Sequence, residues 1–150
     1  MSSDKYLRVW LQLAKSSKSI EQEMETRFHQ RFKQSMSRFD VLAQLYRYSP
    51  EGLPMGKVAE QLLASRGNIT RLVDRMVNEH LIERSASPLD RRVIQIRITD
   101  KGLQLFEEMA QAHADWSQEL LGDLTALEID QLLHLLKRAN SAFKVATEPE

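Results

Sequence analysis

Leu53-Pro-Met-Gly-Lys-Val-Ala-Glu-Gln-Leu-Leu-Ala-Ser-Arg-Gly-Asn-Ile-Thr-Arg-Leu-Val-Asp-Arg-Met-Val77 reads as two short helices joined by a tight turn. The first starts near Pro54, tolerated in a first turn because its missing N–H would be unpaired there, and ends around Leu63. The second runs from about Ser65 to Glu79. Ala59 is small enough for a close crossing, and Val58, Leu62, Ile69, Leu72 and Met76 are expected to lock the pair. The other side of the second helix carries Arg66, Asn68, Arg71 and Arg75, with Gly67 and Thr70 beside them. Such a helix fits the DNA major groove: Arg reads guanine bidentately, Asn reads adenine, and the N-terminal amides with Ser65 meet phosphate. Taken alone, the same residues also fit a solvated helix face with Arg71 and Arg75 paired locally to Asp74 or Glu79.

Beyond His80 the period changes from helix to strand. Leu81 to Ala86 and Val93 to Ile98 read as a hairpin around a turn at Ser87 to Arg91. Ile94, Ile96 and Ile98 alternate with Val93, Gln95 and Arg97, which predicts one buried face and one wet, basic face. At the tip, Asp90 is spaced to hold the Arg92 guanidinium while Arg91 extends outward, although a plain solvated turn accounts equally for these residues in isolation.

Upstream, apolar residues recur at helical spacing from Tyr6 through Trp10, Leu13, Ile20, Met24 and Phe28 to Phe32, one long helix with a break expected at Lys33 to Ser35. Ser37 is positioned to cap the next helix, which runs to about Tyr48 before Pro50 and Gly52 stop it, and Leu53 is a minimal strand. Downstream, Thr99 caps a helix carrying Leu103, Phe106, Met109, Ala110 and Trp116 that breaks near Gly122. Thr125-Ala-Leu-Glu128 is a capping box opening a last helix through Ile129, Leu132, Leu133, Leu136, Ala139 and Phe143. The ends, Met1 to Asp4 and Thr147 to Glu150, are expected to fray. The fold class is therefore mainly α with a small β-hairpin wing: a winged helix-turn-helix over residues 35–100 between helices of residues 1–34 and 101–150. The terminal helices are too apolar for linkers and are expected to form a homodimer, packing within one chain being the alternative.

The composition narrows the function classes. Net charge is zero, yet residues 1–34 carry 7 basic and 4 acidic side chains, residues 35–101 carry 11 and 8, and residues 102–150 carry 3 and 9. This distribution suits a basic face for a polyanion, or ordinary helix surfaces. The absence of cysteine removes disulfides, thiolate nucleophiles and thiol redox switches. With no apolar run of membrane-spanning length and no apolar leader segment, a soluble cytoplasmic protein is expected, without a membrane partner. No phosphate-loop glycine pattern or metal-ligand motif is present, so neither an enzyme nor a cofactor is expected. His29, His80, His113 and His134 are dispersed, and only a tertiary meeting of His29 or His113 with Glu25 or another carboxylate would make a metal site; none is expected.

With these elements in order, the chain resembles the MarR family of bacterial and archaeal regulators, dimeric winged helix-turn-helix proteins that bind pseudo-palindromic operators. The strongest match is Asp90-Arg-Arg-Val-Ile-Gln-Ile-Arg-Ile-Thr-Asp-Lys-Gly102, against a family pattern of Asp, any residue, Arg, five residues, an aliphatic residue, Thr, two residues and Gly. Ser65 to Thr70 and Leu72-Val-Asp-Arg-Met76 add to it. The resemblance implies that Asp90 and Arg92 brace the wing, that Arg91, aided by Arg92, approaches the minor groove, and that the protein represses transcription in response to a ligand. Gly67 stands where the family usually has a small hydroxyl residue, and His80 where it usually has glycine. Similar regulators bind small anionic, often aromatic molecules between the dimer helices and the DNA-binding lobe. Here that points to Trp10, Ser17, Phe28, Arg38, Phe39 and Leu42, with Met109 and His113 across from them; the alternative for these apolar residues is plain core. A winged-helix protein-interaction module without specific DNA recognition is the alternative function.

Overall fold

The computed structural model describes residues 2–62 and 66–147, by backbone alone at 2, 61, 66, 67 and 144–147. Its elements are α1 (Ser2–Phe32), α2 (Met36–Arg47), β1 (Leu53–Pro54), α3 (Met55–Gln61), α4 (Arg66–Asn78), β2 (Ile82–Ala86), β3 (Ile94–Ile98), α5 (Asp100–Leu120) and α6 (Ala126–Thr147). Two compact units emerge, residues 1–113 and residues 114–150.

In the first unit, α1 begins at Ser2, so Ser2 to Asp4, expected to fray, are helical here; an ion pair of Arg8 with Asp4 (3.1 Å) spans the opening turns. The helix stops where Lys33 turns left-handed (φ 57°). Ser35, not Ser37, then caps α2, its Oγ accepting from the Arg38 amide at 3.2 Å. The left-handed residue ends α1 early enough that Ser35 takes the extended conformation a cap requires, φ −95° and ψ 162°, which places Ser37 already inside the helix. The Met36 amide is satisfied by Glu25 Oε2 at 3.0 Å.

Leu53 and Pro54 pair antiparallel with Ile96 and Gln95, and Ile82 to Ala86 pair with Ile98 to Ile94, giving a three-stranded sheet in the order β1-β3-β2. Only Ile96 of the three alternating isoleucines is fully buried; Ile98 is half-buried, and Ile94, next to the hairpin tip, is 48% exposed because the core ends before the strand does. Nor is the opposite face simply wet. Arg97 is half-buried, and its Cγ lies in the space a Cβ on Gly52 would need, where the chain turns at φ 80°.

The core of this unit joins Val41, Leu42 and Leu45 of α2, Val58 of α3, Ile69, Val73 and Met76 of α4, and Leu81, Ile82 and Ile96 of the sheet. The expected lock between the helices is thus altered by one position: Val73 is buried where Leu72 was expected, and Leu62 and Leu72 are only half-buried. At about 100° per residue, Val73 and Met76 both fall close to the direction of Ile69, whereas Leu72 is displaced to the flank.

The end of α4 is held unusually well. His80 is left-handed (φ 61°), its amide donating to Val77 O and the Leu81 amide to Met76 O, both at 3.0 Å, the two bonds of a Schellman cap. Thr99 Oγ1 then lies 2.6 Å from His80 O and 3.0 Å from Leu81 O while accepting from the Gly102 amide at 3.0 Å. The Leu81 carbonyl occupies the space that a Cβ at 102 would fill, which is the physical reason for a glycine there.

In the second unit the end of α5 gives way to a turn around Gly122, and the capping box forms as the sequence implies: Thr125 N to Glu128 Oε1 at 2.9 Å and Glu128 N to Thr125 Oγ1 at 3.2 Å. Along α6, Leu132, Leu133 and Phe143 are exposed, while Ile129, Leu136 and Ala139 are half-buried. No helix among the described residues is long and apolar enough to cross a membrane.

A histidine in the left-handed region costs about 1–2 kcal/mol relative to a residue without Cβ strain. We predict that His80→Gly raises stability by about 1 kcal/mol after the backbone entropy of glycine is deducted. A urea midpoint that stays put or falls would refute the strain.

Candidate nucleic-acid interface

Asn68, Arg71 and Arg75 lie on one face of α4, away from the buried Ile69, Val73 and Met76. With Leu62 and Leu72 they line an open cleft of about 490 Å³ whose other wall is Ser35, Ser37 and Asp40 at the start of α2. No sequence signal marks these α2 residues, because only the packing of α2 beside α4 brings them there. Burial pushes the Asp40 carboxyl above its ordinary range; the Glu25 charge adds to this and His113 opposes it.

Asp40 faces this cleft from α2, whereas the acids within and just after α4 are engaged elsewhere. Asp74 pairs with Arg84 of β2, and Glu79 with Arg38 of α2 at 2.6 Å. Among the described residues, neither Arg71 nor Arg75 then forms an ion pair, and both are exposed. The local pairing that the sequence left open is thereby resolved by residues outside α4, Arg38 and Arg84. Thr70 is exposed on the same helix. Arg66 and Gly67 form its first turn, while Ser65 lies outside the described residues.

The wing tip closes on itself. Ser87 N donates to Val93 O at 2.9 Å and Val93 N to Asp90 O at 3.0 Å. Asp90 accepts from the Arg92 amide (3.0 Å), from its Nε (3.2 Å) and from its Nη2 (3.4 Å). Arg92 is therefore spoken for at the tip, and Arg91 is exposed without an ion pair among the described residues.

The residues expected around an effector do not form an open slot. Phe28, Leu42 and Met109 are wholly buried, and Phe39 stacks on Phe28 (5.1 Å) and Phe106 (5.5 Å). His113 meets Phe28 and Phe39 at 5.8 and 5.2 Å. Arg38 is engaged by Glu79 and by Gln34 Oε1 at 3.0 Å, and Trp10 and Ser17 are exposed on α1, outside this aromatic cluster. Within this chain Phe28, Phe39, Leu42, Met109 and His113 thus pack as core, the alternative the sequence left open for the apolar residues.

A helix pair followed by a paired hairpin, with α3 and α4 packed on the sheet, defines a winged helix-turn-helix protein. The MarR family model matches residues 35–94. Over 136 residues the chain is 30% identical to the HTH-type transcriptional regulator MhqR of Bacillus subtilis (strain 168), spanning 91% of this chain and 92% of that one. The chain belongs to the MarR family of transcriptional regulators. Its fold is similar to that of the transcriptional regulator BldR from Sulfolobus solfataricus, with a TM-score of 0.79 at 23% identity, covering 95% of this chain and 99% of that one. It is also similar to a mutant MarR from E. coli complexed with operator DNA, with a TM-score of 0.76 at 23% identity and coverage of 90% and 95%.

The three bonds from Arg92 hold the Asp90 carboxyl below its ordinary value of 3.8, the backbone bond contributing most. A carboxylate with a depressed folded value stabilises the closed tip above the unfolded value and loses that contribution as pH falls through the folded one. The wing is thus expected to stay braced throughout the neutral range and to open only in acid. Carbon-detected NMR titration of Asp90 should give a midpoint below 3.8; a midpoint at or above it would contradict the brace.

Proposed function

We propose that this chain is a homodimeric regulator that binds a pseudo-palindromic double-stranded operator, α4 entering the major groove and the wing tip the adjacent minor groove. The observation that carries this reading is the pairing of Asp74 with Arg84 and of Glu79 with Arg38, which leaves Arg71 and Arg75 un-neutralised beside Asn68. A guanidinium free of carboxylates is available to guanine O6 and N7, and the Asn68 amide has the donor and acceptor that adenine requires. The opening amides of α4 at Arg66 and Gly67, with Ser65 and Thr70, would contact phosphate and fix register. Arg91 reaches the minor groove, with Arg92 holding the tip through Asp90.

Residues 35–100 would form the DNA-binding domain, and residues 1–34 and 101–150 would supply the dimer contacts. Tyr6 and Trp10 on α1 are 76% and 63% exposed, and Leu133 and Phe143 on α6 are 50% and 56% exposed, a density of apolar surface that a lone chain rarely leaves in water. Two copies would set their α4 helices about 34 Å apart, one turn of DNA. Among the relatives, IacR of Pseudomonas putida is named a transcriptional repressor, which supports repression as the outcome of binding. Action on a bacterial or archaeal chromosome would place the protein in the cytoplasm.

The test is fluorescence anisotropy on duplex from immediately upstream of the gene and on sequences selected from a random pool, with unrelated duplex as control. Saturable binding above control at two chains per site is expected; equal weak binding to all duplexes would instead favour a protein-interaction module. Arg71→Ala should cost about 1–3 kcal/mol on the selected operator and leave the dimer intact. Arg91→Ala should weaken binding across many sequences and lower the salt slope by about 1, since one phosphate-field contact is lost. An unchanged slope would remove Arg91 from that role.

A further inference from the structure

Arg38 is largely buried for a charged side chain, at 15% exposure. Its Nη2 pairs with Glu79 Oε2 at 2.6 Å, and its Nη1 donates to Gln34 Oε1 at 3.0 Å. Gln34 is itself 8% exposed, and its amide donates to Phe28 O in the last turns of α1 at 3.4 Å. At the other end, Glu79 follows directly on α4, its amide donating to Arg75 O at 3.0 Å and its carbonyl accepting from Lys101 Nζ at 3.0 Å. A short polar path therefore runs from the end of α1, through Gln34 and Arg38, to the end of α4. The Arg38 amide is also fixed by the Ser35 cap, so the guanidinium is held from its own backbone outward.

Arg38 does two things at once. It draws the Glu79 carboxylate away from Arg75, four residues earlier in the last turn of α4 and otherwise a natural partner. It also ties the carboxyl end of α4 to the junction of α1 and α2, and α1 carries the exposed apolar stripe of Tyr6, Val9 and Trp10. We infer that Arg38 is a positioning residue that sets the spacing between the two α4 helices of a dimer, by holding each to its own dimer-forming helix through Glu79 and Gln34. This rests on the DNA-binding reading above.

Inserting one base pair between half-sites moves them apart by about 3.4 Å and rotates them by about 34°, so a dimer discriminates spacing only if α4 cannot swing on α1. The apolar contacts between α2 and α4 resist separation but are non-directional. A bidentate-capable, largely buried guanidinium bonded on both sides fixes orientation as well.

The experiment uses the full-length protein and an operator obtained by random-sequence selection with the wild type, rebuilt with half-sites moved by one and two base pairs in either direction. Affinity for the selected spacing divided by affinity for each altered spacing is measured for wild type, Arg38→Gln, Arg38→Gln with Glu79→Gln, and the exchange Arg38→Glu with Glu79→Arg. Taking the ratio within each variant cancels any general loss of affinity, including that from Glu79 turning onto Arg75. Wild type is expected to prefer its spacing by about tenfold or more, the first two variants to fall to about threefold or less, and the exchanged pair to regain most of the preference. Unfolding midpoints and dimer mass are recorded for each, so that a ratio is compared only between folded dimers. If Arg38→Gln misfolds, the doubly neutral variant and the exchange carry the comparison. Folded variants that keep the wild-type ratio would overturn the positioning role. Arg71→Ala separates the two levels: it should weaken base selection yet keep the spacing ratio. A wild type that selects no sequence at all would instead overturn the DNA-binding reading, and the positioning role with it.

Discussion

The carbonyls of His80 and Leu81 are where three parts of the molecule are joined. The Schellman cap ends α4, Leu81 and Ile82 carry the chain into the sheet, and the Thr99 hydroxyl and amide close on the same carbonyls from the start of α5. Gly102 lets the backbone of α5 come down onto Leu81 without a Cβ in the way. Each bond alone contributes about 1 kcal/mol. Because they converge, the base of the wing, the end of α4 and the start of α5 are held as one corner. Asn68, Arg71 and Arg75 are presented on a helix whose far end is anchored there.

A chain with equal numbers of acids and bases presents a cationic face on α4 by geometry, not by composition. Asp74 lies on the same helix as Arg71 and Arg75 and Glu79 follows directly on its end, close enough to neutralise them. Arg84 from β2 and Arg38 from α2 take those carboxylates instead. The basic residues that do this come from α2 and from β2, the strand after α4, and their contribution is to engage the acids of α4 and of its end. The positive field that a polyanion would meet is thus a product of the tertiary fold.

At the wing the logic is local. Asp90 and Arg92 are two residues apart in a tight turn, and the bonds between them need nothing from elsewhere in the chain. Their spacing alone is therefore enough to point to the brace, just as the spacing of Thr125 and Glu128 is enough to point to the capping box. The α2 cap is less local. Ser35 and Ser37 are both suitable residues, and the choice between them turns on where Lys33 ends α1.

The order of helices and strands, the turn of the wing and the basic side of α4 follow from the sequence by itself, since each depends on periodicity or on bonds spanning a few residues. Which residues fill the core depends on more. Ile94 is left outside because the packed layers end before the strand does, whereas Val73 in place of Leu72 follows from which side of α4 meets the core. The same holds for the expected effector residues. Aromatic and apolar side chains that would suit a slot suit one another equally well, and only their meeting in space shows that Phe28, Phe39 and His113 pack together. Arg38 differs most: its sequence position suggests a cation open to an anionic ligand, while the tertiary structure places it between Glu79 and Gln34. Local bonds are encoded within a few residues, whereas the partner of a long charged side chain is set by whichever distant element packs beside it.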